Sequence, residues 1–183
     1  MATRMNRPHL FVLGISLAYA VCVHAQSGED ERLVRGRASY LPASTYALLQ
    51  KVERFCSTAD KSAREPFAKA LKAWHGRHAE LLAENASVRD ELLAEAAAPG
   101  APAGLKATLD DVLNVQVVRQ IDADYKKMVP PDSSRGWAGK AFVCGANAGL
   151  IDQGNFDLSR IDPAVAAYLE KRLQARRSGT AVP

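Results

Sequence analysis

Between Phe67 and Leu92, eight positions recur with alternating spacings of four and three: Phe67, Leu71, Trp74, His78, Leu81, Asn85, Val88 and Leu92. This is the repeat of a helix that keeps one seam against its neighbours, sustained here over about four heptads. Leu82, Ala86 and Leu93 widen the seam into a core-facing stripe. The flanks carry Lys69, Lys72, Arg77, Glu80, Glu84, Arg89, Asp90, Glu91 and Glu95, which read as a solvated face. The pattern predicts a helix that begins near Ser62, has Pro66 in its first turn and ends before Pro99-Gly100-Ala101-Pro102. A chain organised around such a helix is expected to be all-α.

Two seam positions, His78 and Asn85, are polar and one heptad apart. A polar group in a seam costs stability unless it is paired. The structural reading is a hydrogen bond to an opposing element; the functional one is a buried polar patch that receives a ligand. Asn85-Ala86-Ser87 also matches a glycan acceptor, but a seam position leaves it out of reach.

The remaining periodic segments also read as helices. From Pro42 onward Leu48, Leu49, Val52, Phe55, Cys56 and Ala59 share a face, with Ser44 as the expected N-cap. From about Ala103 to Val129, Leu105, Leu109, Leu113, Val117, Ile121 and Tyr125 recur every four residues until Pro130-Pro131 stops the helix. Val112 to Val118 is rich in β-branched residues and reads equally as a strand on composition, but its flanks are helical in character. A shorter helix presents Trp137, Ala141, Cys144 and Ala148, and Gly136, Gly139, Gly145 and Gly149 are expected to let another helix approach closely. Asp162-Pro163 is a cap followed by an N1 proline, and opens a last helix with Val165, Leu169 and Leu173 inward and Lys171, Arg172, Arg176 and Arg177 toward its C-terminal end. The expected fold is a small helical bundle of four to five helices, held by one disulfide.

The first 25 residues read as a removable export signal. Arg4 and Arg7 precede an uncharged apolar run from Leu10 to Val23, with Val23 and Ala25 at the −3 and −1 positions before Gln26. The run is shorter than the roughly 20 residues of a membrane-spanning helix, so no stable anchor is expected after cleavage. Val21 before Cys22 is unlike a lipidation site. Residues 26–41 read as a flexible polar leader, 42–177 as a single helical domain and 178–183 as a disordered tail. Loss of Arg4 and Arg7 reduces a formal charge of only +4, which argues against a nucleic-acid partner.

In the oxidising compartment this implies, Cys56 and Cys144 are expected to form an intramolecular disulfide; two buried free thiols or a bridge to a second chain are the alternatives. No C-x-x-C or C-x-x-C-H occurs, so redox catalysis and covalent haem are not indicated. His75 and His78 lie three apart, a spacing that places two zinc or copper ligands on neighbouring positions of a helix, with the remaining ligands unidentified. Asp110, Asp111, Asp122 and Asp124 are the acids from which a hydrolase would be built, but no nucleophile–base set accompanies them. The function expected is that of an exported, periplasmic or secreted, non-enzymatic interaction protein of the bacterial cell envelope, such as an inhibitor, immunity factor or adaptor, with an unidentified protein partner. Trp137 is a candidate contact residue for that partner. The alternative is a carrier of a metal or small ligand near His75, His78 and Asn85. No cofactor is otherwise implied.

Overall fold

Asp60 opens the longest helix: its carboxylate accepts the Ala63 N–H at 3.1 Å, satisfying one of the donors a helix start leaves free. The computed structural model describes residues 31–131 and 137–180, without the side chains of 137 and 138. The folded unit runs from Leu33 onward. After a helical turn over residues 33–38, it contains α1 (Leu41–Cys56), α2 (Lys61–Ala97) and α3 (Leu105–Asp111), which continues through a π turn (Val112–Gln116) into α4 (Val117–Met128). Then come α5 (Trp137–Asp152), the single-turn α6 (Leu158–Ile161) and α7 (Pro163–Ser178). No strand occurs among the described residues, so the fold is an all-α bundle. The segment expected to be an export signal and the start of the expected leader lie outside the described residues.

The 37-residue α2 is the spine, about 55 Å long at 1.5 Å per residue. Its N-terminal half meets α1 and α5 in the main core, where Phe67, Leu71 and Trp74 pack with Leu49, Val52, Val143, Ala148 and Ile151. Its C-terminal half meets α7 and residues 33–38 in a smaller second core of Ala38, Val88, Val165, Tyr168 and Leu169. Cys56 and Cys144 are bonded to each other inside the main core, with Cα atoms 5.7 Å apart, within the range a disulfide requires. The staple thus joins the end of α1 to the middle of α5.

Several local expectations are corrected. Ser44 is not an N-cap: α1 starts at Leu41, and the Ser44 hydroxyl donates to the Leu41 carbonyl within the first turn. Pro66 is the sixth residue of α2, because the helix begins at Lys61. The polar leader ends earlier than residue 41, since residues 33–38 are helical and Ala38 is fully buried. Gly145 and Gly149 face open space, and the close packing of α5 is made instead by Val143, Cys144, Asn147, Ala148 and Ile151. Glu84, read as part of a solvated face, is buried and bonded at 2.7 Å to Arg172, which is buried as well. Asp162 caps α7 as expected, accepting the Val165 N–H at 3.1 Å.

Candidate functional site

The helix from Leu105 to Met128 is amphipathic, yet none of its residues is fully buried. An α-helix advances about 100° per residue, so a repeat of exactly four drifts by about 40° at each step. The π turn, whose hydrogen bonds reach one residue further, takes up part of that drift. It falls on the β-branched stretch Val112–Val118, where crowded side chains favour departure from α geometry. Leu109, Leu113, Val117 and Ile121 therefore remain half-buried rather than sealed, with Val117 and Ile121 on the side facing α1.

Between α1 and α4 runs a groove of about 520 Å³, within the range of ligand-binding clefts. Leu41 and Leu48 line it from α1, Val117, Ile121 and Met128 from α4, and Phe156 and Ile161 from the segment between α5 and α7. The charges at its rim are paired. Asp124 accepts from Gln120 and Lys127, both at 2.8 Å. Burial pushes the Asp124 carboxyl upward, but those two bonds outweigh it and hold the pKa below the ordinary carboxylate value. Lys51 bonds Asp122 across the α1–α4 gap, with its ammonium 4.8 Å from the Tyr125 ring centroid. The Lys51 bond holds Asp122 low as well.

The segment carrying Phe156 is positioned from the α2 seam. Trp74 Nε1–H donates to the Phe156 carbonyl at 2.9 Å. His78 Nδ1 meets the Trp74 carbonyl at 2.9 Å, which assigns the ring hydrogen to Nδ1. Nε2 then accepts the Leu158 N–H at 3.4 Å. Gly154, at φ 72°, makes the preceding turn; a Cβ there would lie 3.0 Å from Asp157 Oδ2. Arg77 bonds Asp157 at 3.1 Å from outside. Trp74 and His78 thus act as anchors for the 154–158 segment, whose Phe156 lines the groove.

The structure places the other sequence candidates as follows. Asn85 is buried, and its Nδ2 donates to the Ala38 carbonyl at 2.6 Å, the structural pairing expected of a seam amide. His75 is exposed and lies against Tyr46, with ring centroids 4.8 Å apart. It lines a second groove, of about 470 Å³, together with Asn85 and Arg89. His75 and His78 therefore do not converge, and among the described residues no group of three or more His, Cys, Asp or Glu side chains is placed to hold a metal ion. Asp110 and Asp111 are bonded to Lys106 and Gln116 at 2.6 and 2.7 Å. The Trp137 side chain lies outside the described residues. Sequence reasoning missed Leu41, Met128, Phe156 and Ile161 as groove residues; Phe156 alone carried a signal, as an aromatic residue beside the turn-forming Gly154.

No described helix is long and apolar enough to cross a membrane. Comparison with protein-family models, curated proteins and solved structures finds no match.

Proposed function

We propose that this chain is an exported, non-enzymatic interaction protein of the bacterial cell envelope, and that it takes the apolar face of a partner's amphipathic helix into the groove between α1 and α4. The observation that carries the reading is the groove itself, an apolar channel with a helix on either side and no fully buried residue along α4. Leu41, Thr45 and Leu48 on one wall and Val117, Ile121 and Met128 on the other recur at helical spacing, the footprint that a third helix fills in helix-in-groove recognition. Asp124 and Lys127 satisfy each other at the rim, which suits an uncharged face between them. The export signal and the disulfide support an envelope or extracellular setting.

A photo-crosslinking amino acid placed at Leu48 or Ile121 in living cells tests the reading. One discrete protein adduct is expected from both positions, and none from Glu170 on the exposed side of α7. No adduct at either groove position refutes it. N-terminal sequencing of the native protein is expected to start at Gln26, and an intact Met1 refutes the export half. The carrier reading rests on the groove beside His75. Calorimetry with zinc and copper tests it: micromolar binding lost in His75→Ala supports a carrier, and no heat removes it.

A further inference from the structure

The groove beside His75 contains a polar atom with no partner. Asn85 is only 2% exposed, and its Nδ2 is committed to the Ala38 carbonyl. Its Oδ1 makes no hydrogen bond among the described residues. Among those residues, no side-chain oxygen or nitrogen sealed from solvent lacks a partner. The Asn85 oxygen therefore reaches a surface, and the surface that Asn85 lines is this groove. A nearly buried acceptor, fixed through its own amide nitrogen, is a ready receptor for an N–H donor. One helical turn further along α2, the exposed Arg89 lines the same groove, and its guanidinium makes no ion pair or hydrogen bond among the described residues. A guanidinium in that state offers a planar fork that matches a carboxylate. Asp90 also lies at the rim, but it sits about 100° further round the helix and does not face Arg89. The rest of the groove is long and largely apolar. His75, Leu82 and Arg89 recur every seven residues and so form one line along α2, with Ala86 and Leu93 beside it. From His75 to Arg89 the helix rises about 21 Å, a length that about six extended residues span. At the far end the His75 and Tyr46 rings lie 4.8 Å apart and 36° inclined, open to a further aromatic or apolar side chain.

We propose that this second groove captures the carboxyl terminus of an apolar peptide. The terminal carboxylate pairs with the Arg89 guanidinium, and the N–H of the last residue donates to Asn85 Oδ1. Asn85 and Arg89 are four apart and so are neighbours on the helix surface, about 6 Å from each other. The last residue of a chain carries an N–H donor and an anion at a matching separation, whereas a residue within a chain has no anion to offer. The final side chain rests on Ala86 and Leu93, the chain runs back over Leu82, and a ring about five residues upstream meets Tyr46 and His75. The unpaired cation beside Asn85 suits an anionic group better than a metal ion, which sets this site apart from a metal carrier. Capture of a chain terminus by fixed polar groups beside apolar side-chain sites is a recurring mode of peptide recognition. The site lies outside the α1–α4 groove and does not depend on what that groove takes.

A pool of random hexapeptides, attached to beads through their N-termini and ending in free carboxylates, tests it with the labelled native protein. Retention is expected on beads whose peptides end in an apolar residue and carry an aromatic one near the attached end. Fluorescence anisotropy then compares the retained sequences in solution. Amidation of their C-termini is expected to weaken binding by about tenfold or more, and Arg89→Gln to do the same. Lys171→Gln, which removes an exposed cation of α7, is expected to leave binding within about twofold of wild type. If Arg89→Gln does not fold, the amidation comparison decides alone. Retention of no peptide overturns the proposal, as do amides that bind as well as free acids, or wild-type affinity in a folded Arg89→Gln. N-acetyl-leucine that displaces the peptides at equal concentration overturns the peptide assignment in favour of a free acylated amino acid. Crosslinks from Leu48 and Ile121 report on the other groove and stand or fall separately.

Discussion

Removing both sulfurs from the main core, in a Cys56→Ala/Cys144→Ala variant, tests how much of the bundle's stability comes from chain entropy. The bridge spans a sequence separation of 88. In the chain-entropy model, closing a loop of about that length removes about 15 cal/mol/K from the unfolded ensemble, or about 4.6 kcal/mol at 25 °C. That is about three orders of magnitude in the folding equilibrium, and comparable with the whole stability of a marginal domain. Both cysteines are almost wholly buried, so the cavities left by the sulfurs add to the loss rather than offset it. Urea unfolding followed by circular dichroism is the assay, with the variant and the oxidised protein compared at equal slope. A loss of about 4–5 kcal/mol is expected, together with a fall in Tm of about 10–18 °C. A loss under about 1 kcal/mol refutes the entropic argument. Rapid alkylation of both thiols in native, unreduced protein refutes the bridge itself.

Trp74→Phe keeps a ring in the core but removes the donor to the Phe156 carbonyl; a cost of about 1–3 kcal/mol is expected in urea unfolding, and an unchanged midpoint counts against the anchoring role. Gly154→Ala forces a Cβ into a left-handed residue 3.0 Å from Asp157 Oδ2; a Tm lowered by an amount equivalent to about 1–2 kcal/mol is expected, and a raised Tm contradicts the turn geometry. Arg37 bonds Asp162 at 2.7 Å and holds that carboxyl below its ordinary pKa. Its contribution is present above the unfolded carboxylate value and is lost as pH falls through the folded one. The stability difference between wild type and Asp162→Asn is accordingly expected to shrink toward acid, and a difference that grows toward acid refutes the assignment.

The parts of the fold legible in the sequence were those governed by local chemistry or by a clean repeat. Asp162-Pro163 marks a helix start through its own cap and fixed φ, and the alternating seam put Phe67, Trp74, His78 and Asn85 inside. What escaped depends on partners distant in sequence. Glu84 sits beside the seam, so its burial is decided by which helix covers it, and the chain does not announce that α7 brings Arg172 and Arg176. A trace was present: Glu80, Glu84, Glu91 and Glu95 keep to one stripe of α2, and Arg172 and Arg176 are one turn apart. The helical flanks of Val112–Val118 gave the right assignment, and its β-branched stretch coincides with a π turn within that helix. The groove could not be read beforehand, because the same apolar repeat describes a sealed helix face and one left half-open.

The π turn also bears on how such a protein can diversify. A residue gained or lost within Val112–Gln116 rotates everything downstream on that helix by about 100°. No residue between Leu105 and Met128 is fully buried, so the change falls on partly exposed positions, of which only Tyr125 and Met128 pack against the main core. A single-codon insertion or deletion there changes which side chains face the channel, so new specificities are reachable in steps that leave the disulfide-bonded centre of the bundle in place.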